Sequence, residues 1–323
     1  MALHPTIDPG LAAALAEAPL PVIDLRGVRP EDVPGLRVQA EAARAAMAPL
    51  ERDDRVVVED RVVPGPDGDP DILLRIYRPA DRREALPGIY WIHGGGMIFG
   101  SVKMEDLRLV EYALQVGCVV ISVEYRLAPE HPHPAPVEDC YAGLAWTAKN
   151  AAELGIDPER LVVAGVSAGG GLAAGTALMA RDRGGPQLAF QLLICPMLDD
   201  RNTTPSSHEF TEAIVWDRAA NLLGWAALLG DDAGTDGVSP YAAPARATDL
   251  SGLPPAYIDV GELEVFRDEC VDYAQRLVRA GVSTEFHLYP GAFHGFDMVL
   301  PDTEISRRAA AERVVALRRA LLR

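Results

Sequence analysis

Lysine is almost missing from this chain: it occurs only at Lys103 and Lys149, so nearly all the positive charge is arginine. Acidic residues outnumber basic ones, 47 to 30, giving a formal net charge of −17 and a pI near 4.8. That balance argues against a nucleic-acid binder or a protein drawn to anionic membranes, and favours neutral or cationic small substrates over anionic ones. Cysteine is scarce too. Cys118, Cys140, Cys195 and Cys270 are scattered with no C-x-x-C pair, so neither a disulfide framework nor a zinc site is suggested. Cys118 and Cys195 fall in apolar, strand-like runs, where a reduced, buried thiol is expected. No Lys/Arg-bearing segment opens the N-terminus, and Asp8 and Glu17 interrupt the nearest apolar stretch. A signal peptide is therefore not expected, and the cytoplasm is the default location. The uncharged stretch Leu161 to Ala180 has membrane-spanning length, but its glycines and serine mark it as a buried strand and helix. Internal repeats and low-complexity tracts do not stand out.

What is there is apolar and long enough to fold. With 323 residues, 49% of them hydrophobic, the chain can bury a large core, and it fits one sizeable domain with an accessory region. Asp8-Pro9 reads as an N-cap followed by proline at the first helical position, opening a short helix through Ala18; a second helix is expected over Val33 to Met47. Arg55 to Val63 and Ile72 to Tyr77 read as strands flanking the turn cluster Pro64-Gly65-Pro66-Asp67-Gly68. From Gly88 onward, strand-like and helix-like segments alternate. The strands are Ile89 to Ile92, Cys118 to Tyr125, Leu161 to Ala164, Phe190 to Cys195, Ala256 to Val260 and Thr284 to Tyr289. Helices are expected near Glu105 to Gln115, over Asp139 to Asn150, after the serine turn, over Arg267 to Ala280 and from about Thr303. Such alternation implies an α/β fold, a mainly parallel central sheet flanked by helices on both faces. Residues 199 to about 250 break the pattern with three prolines, two acidic turns and a helix near Trp216 to Leu229. Insertions of this kind lie over the carboxyl ends of the strands, where sites form. The chain thus divides into N-terminal cap helices (1–50), a core (51–198 and 251–323) and a cap insertion (199–250).

Two motifs carry chemistry. Gly165-Val166-Ser167-Ala168-Gly169 follows an apolar strand and precedes a run of small helix-forming residues. In a G-x-S-x-G elbow the serine occupies the apex of a strained turn with its Oγ exposed, and a Cβ at either glycine would collide with a neighbouring element. Alone, this pattern is weak. His93-Gly94-Gly95-Gly96 follows the strand Ile89 to Ile92, and its bare backbone can turn several N–H groups toward one point, where an oxyanion develops during acyl transfer. A phosphate-binding loop is the plainer alternative, but no G-x-G-x-x-G or G-K-[ST] accompanies it. In this order the two motifs fit together mechanically: one N–H follows the serine and the others come from the earlier loop.

A serine nucleophile needs a base, and the chain has seven histidines. His294, in the loop Pro290 to Phe296 after the last strand, is the one placed to reach a serine at the sheet's edge. An acid must then orient the imidazole. Of the acids from Asp259 to Glu269, Asp259 lies inside a strand, and Asp268 and Glu269 open the next helix, where the helix dipole alone favours them. Glu262 and Glu264 lie in the loop between and are the candidates.

These stretches, with Tyr125-Arg126-Leu127-Ala128-Pro129-Glu130-His131-Pro132 and His294-Gly295-Phe296, resemble the hormone-sensitive-lipase family of α/β-hydrolases, the bacterial group IV esterases, from about residue 55 onward. The resemblance implies an α/β-hydrolase fold with a helical cap and a Ser167-Glu264-His294 triad, Glu264 matching the position where the family usually has aspartate. It also implies oxyanion donors at Gly95, Gly96 and Ala168, and hydrolysis of short-to-medium acyl esters through an acyl-enzyme with no cofactor and no metal. Many members dimerise through a sheet edge, so a homodimer is a further implication. Departures from the family fall at Val166, commonly Asp or Thr, and at Met97, often Trp or Phe. Met97, Val166, Trp216 and Phe296 are expected to line the substrate pocket. Competing readings on the same fold are a ligand receptor, which would have lost its histidine, and an amidase or dehydratase.

Overall fold

The computed structural model describes residues 4–18, 24–45, 53–81, 84–212 and 214–322. Eight strands form one sheet: β1 (Val56–Val63), β2 (Ile72–Pro79), β3 (Leu86–Ile92), β4 (Val119–Glu124), β5 (Ile156–Val166), β6 (Phe190–Ile194), β7 (Ala256–Leu263) and β8 (Thr284–Phe293). Their order across the sheet is β1-β2-β4-β3-β5-β6-β7-β8. β1 with β2 and β2 with β4 are antiparallel; the other neighbours are parallel. Strands β3 and β6 are buried along their whole length, as expected for strands covered on both faces.

The helices are α1 (Pro9–Glu17), α2 (Val33–Ala45), α3 (Asp106–Tyr112), α4 (Ala135–Lys149), α5 (Ala151–Leu154), α6 (Ala168–Asp182), α7 (Pro205–Glu209), α8 (Arg218–Leu229), α9 (Arg267–Arg279), α10 (Phe296–Val299) and α11 (Glu304–Leu321). Asp8 caps α1 as its sequence predicts, its carboxylate accepting from the N–H groups of Gly10 and Leu11. The expected end of the second helix, at Met47, lies outside the described residues. No described helix is long and apolar enough to cross a membrane; the span-length stretch is the end of β5 and most of α6.

Three local expectations need correction. β7 continues through Leu263, which puts Glu262 in a strand and not in a loop. β8 continues through Phe293 with an irregularity at Gly291 (φ +70°), so Pro290 to Phe293 belongs to the strand and the loop begins at His294. In both cases cross-strand pairing carries the strand further than local sequence does, and Leu263 pairs with Phe293. Third, α7 breaks the stretch after residue 199 where no helix was expected, and Trp216 precedes α8 instead of opening it.

Parallel pairing decides where loops meet. Ile92 is paired with Gly165, Val166 with Ile194, and Leu263 with Phe293. The residues that follow, His93, Ser167, Cys195, Glu264 and His294, therefore leave the sheet at one end.

Candidate active site

Ser167 sits at φ +58°, in the left-handed region that a non-glycine residue rarely occupies. Such strain costs about 1–3 kcal/mol and persists only when the surroundings hold it. Here they do. The Ser167 N–H donates to Ile194 O at 2.8 Å, and its carbonyl accepts from Gly171 N–H and Met197 N–H, each at 3.0 Å. A Cβ on Gly165 would strike the Gly169 backbone, and one on Gly169 would strike the carbonyls of Ile92 and His93. Both elbow glycines are thus demanded by packing of α6 against β3 and β5.

His294 faces this serine: its Nε2 lies 3.0 Å from Ser167 Oγ. On the other side of the ring, Nδ1 lies 2.6 Å from Glu264 Oε2, which makes Nδ1–H the donor to the carboxylate. Ser167, His294 and Glu264 are 8%, 6% and 0% exposed, so the chain of contacts is buried, with its serine end the least so. Burial pushes the Glu264 carboxyl above its ordinary range, and the facing imidazole opposes that shift. Phe266 meets the His294 ring edge-on at 5.2 Å between centroids and limits its rotation.

The rival acids are engaged elsewhere. Glu262 accepts from Gly291 N–H at 2.8 Å. Asp268 pairs with Arg267 at 2.8 Å and accepts from Ser206 N–H at 2.7 Å. Glu269, fully buried, accepts from Leu198 and Asp199 N–H groups and so does more than favour a helix dipole.

Gly95 (φ +119°) and Gly96 (φ +64°) turn the backbone directly after β3. Ala168 is the first residue of α6, so its N–H has no acceptor within the helix. Trp216 lies over this loop, where a Cβ on Gly96 would run into the indole ring. Trp216 Nε1–H donates to Asn221 Oδ1 (3.3 Å), and Asn221 donates to Asn202 Oδ1 (2.6 Å), which holds the indole in place. Arg37 on α2 donates to Ile98 O (2.9 Å) and Ala128 O (2.8 Å), tying the N-terminal region to the back of the glycine loop.

The four expected pocket residues separate. Val166 and Trp216 lie beside Ser167 and Gly96, respectively. Met97, at φ +64°, is fully buried in the main hydrophobic core, to which Val166 and Trp216 also belong. Phe296 packs in a second, smaller core with Leu11, Leu15, Tyr289 and Phe293, beneath α1. The chain turns at Gly295 (φ +68°), between His294 and this cluster.

Sequence reasoning missed a buried charge chain behind the site. Arg313 donates to Asp259 (2.6 Å) and to Asp297; Arg108 also donates to Asp297 (2.9 Å) and to Glu105 (3.2 Å). Arginines in amphipathic helices ordinarily read as solvated, and only the burial of Arg313, 1% exposed, reveals its role. The four cysteines are free and buried, and folding brings Cys195 beside Glu264 and His294 although no ligand spacing exists in the sequence.

Residues 89–298 match the family described as the alpha/beta hydrolase fold. The chain is similar to carboxylesterase NlhH of Mycobacterium tuberculosis, 38% identical over 98% of this chain and 97% of that one. It is also similar to esterase LipI of the same organism, 34% identical over 97% and 95%. Among solved structures, a bacterial heroin esterase superposes with a TM-score of 0.92 at 46% identity, covering 98% of each chain. This chain belongs to the α/β-hydrolase family, in its hormone-sensitive-lipase-like group. Within that group it is a carboxylesterase.

Proposed function

We propose that Ser167 is the nucleophile of this carboxylesterase, with His294 as base and Glu264 as the orienting acid, acting on short-to-medium acyl esters. The observation that carries the reading is the continuous contact Ser167 Oγ–His294–Glu264, at 3.0 and 2.6 Å, with the serine on a strained elbow. Ser167 Oγ attacks the ester carbonyl while His294 Nε2 takes its proton. Glu264 holds Nδ1–H toward itself and stabilises the imidazolium that forms. The N–H groups of Gly95, Gly96 and Ala168 receive the developing oxyanion, a contribution of about 2.7–4 kcal/mol per donor. The alcohol leaves with the proton from His294, and an acyl-enzyme remains. Water then gives a proton to His294 and attacks the acyl carbon, releasing the acid and regenerating Ser167.

No cofactor enters this chemistry. The described residues of segments 1–50 and 199–250 serve as the cap, with Trp216 over the oxyanion loop limiting the acyl group to roughly acetyl through hexanoyl. Labelling with a serine-directed organophosphonate tests the nucleophile. Wild-type protein should take up one equivalent and Ser167→Ala none, with turnover reduced by orders of magnitude. Persistent labelling or near-normal turnover of Ser167→Ala would show a different nucleophile.

A further inference from the structure

Cys195 is the first residue beyond β6, and its φ of +36° turns it out of the strand's regular alternation. Its N–H donates to Asp259 O at 2.7 Å, so the turn is fixed. Its Sγ, a carboxylate oxygen of Glu264 and a ring nitrogen of His294 all lie within 4.8 Å of one another, and all three residues are buried. Glu264 Oε1 is buried and has no hydrogen-bond partner among the described residues. A thiol, an imidazole and a half-satisfied carboxylate converging on one point form a donor set that the esterase reaction does not use as such.

We propose that Cys195, Glu264 and His294 form a binding site for a thiophilic divalent cation such as Zn²⁺ or Cd²⁺, and that occupancy switches the esterase off. Thiolate, imidazole and carboxylate bind such ions tetrahedrally, at about 2.3 Å to sulfur and about 2.0–2.2 Å to nitrogen and oxygen. Donors around such an ion sit roughly 3.4–3.8 Å apart, so the sulfur, within 4.8 Å of the other two donors, adjusts its position while the His294 Nδ1–Glu264 Oε2 pair, at 2.6 Å, opens by about 1 Å, within reach of rotamer adjustment. Hard ions such as Mg²⁺ and Ca²⁺ prefer all-oxygen shells and are poor occupants. Solvent fills the fourth position.

Proton balance explains the inhibition, and this part rests on the triad proposed above. The thiol proton leaves to solvent as the metal–sulfur bond forms. On the imidazole the metal takes Nδ1, the nitrogen that faces Glu264, and the ring proton moves to Nε2. An Nε2–H facing Ser167 Oγ cannot accept the serine proton. Because the thiol gives up its proton when the metal–sulfur bond forms, binding strengthens as pH rises.

Titration of the full-length protein with CdCl₂, followed by the ultraviolet Cd–thiolate charge-transfer band and by calorimetry, tests the site without reference to activity. One equivalent should bind, and Cys195→Ala should lose the band and weaken binding by about 100-fold or more, although Cys118, Cys140 and Cys270 remain. In parallel, Cd²⁺ should suppress nitrophenyl-acetate hydrolysis by the wild-type protein, EDTA should restore it, and Cys195→Ala should keep turning over in the same Cd²⁺. Absence of the band, its persistence in Cys195→Ala, or equal inhibition of both proteins would overturn the proposal. Loss of the triad reading would look different: metal-free protein with no Ser167-dependent turnover, and a Cd–thiolate band intact.

Discussion

Arg108 and Asp297 meet at 2.9 Å in the interior, and this contact ties the helix that follows the glycine loop to the segment that carries His294. Asp297 lies three residues past His294, and Arg313 reaches it from α11. Burial works against a charged Asp297, but the Arg313 and Arg108 guanidiniums outweigh it and hold the carboxyl at about 2.

Asp297→Asn should therefore be costly, since removing one partner of a buried charge cluster leaves the others uncompensated, at about 3–5 kcal/mol. The sign with pH follows from the lowered value. Asp297 contributes its full stability above the unfolded value of 3.8 and loses it as pH falls through about 2. Urea denaturation at neutral pH should show the deficit, and the gap to wild type should shrink as pH approaches 3. A variant as stable as wild type at pH 7 would mean that the cluster does not hold these elements together.

Trp216 is the second target. Replacing it by alanine removes the indole that overlies Gly96, at a stability cost of roughly 3–5 kcal/mol for a buried aromatic side chain. The freed space should raise turnover of octanoyl relative to butyryl nitrophenyl esters several-fold. An acyl-chain series measured at a temperature where the variant stays folded checks this. An unchanged profile would take Trp216 out of the acyl pocket.

Glu269 offers a pH test of the core. Burial pushes its carboxyl well above 4.5; the Leu198 N–H opposes the shift, and the charge of Asp199 adds to it. A raised carboxyl binds its proton more tightly when folded, so stability falls as pH climbs above the unfolded value. Glu269→Gln keeps a carbonyl for the Leu198 and Asp199 N–H groups and cannot ionise. Its melting temperature relative to wild type should be higher at pH 8 than at pH 5. A difference that does not move with pH would contradict a buried, proton-binding Glu269.

Much of this was legible in the sequence, and for a definite reason. The elbow and the glycine loop are local steric solutions, so Gly165, Ser167, Gly169 and the run Gly94 to Gly96 announce themselves without tertiary information. Alternating strands and helices likewise declare a parallel sheet. The acid was harder: choosing between Glu262 and Glu264 requires knowing that β7 ends at Leu263, which is settled by pairing with Phe293 on a strand thirty residues away. The packing of Phe296 with Leu11 and Leu15 was not legible either, because adjacency to His294 says nothing about which way the chain turns after Gly295. The charge chain through Arg313, and the approach of Cys195 to Glu264, join residues from separate elements and leave no local trace.

The triad turns on Glu264, the residue that fixes the His294 tautomer. In a serine-protease triad, replacing the acid by its amide permits the wrong histidine tautomer and lowers turnover by about 10⁴. Glu264 accepts from His294 Nδ1–H at 2.6 Å, whereas Glu262 is bound to Gly291 N–H and Asp268 to Arg267 and Ser206. The decisive measurement is kcat for nitrophenyl-butyrate hydrolysis by Glu264→Gln, beside Glu262→Gln and Asp268→Asn, each confirmed as folded by circular dichroism. The expected result is a loss of several orders of magnitude in Glu264→Gln and less than about tenfold in the other two, with partial activity in Glu264→Asp. A Glu264→Gln protein that keeps most of its rate, while Asp268→Asn or Glu262→Gln loses it, would contradict the triad.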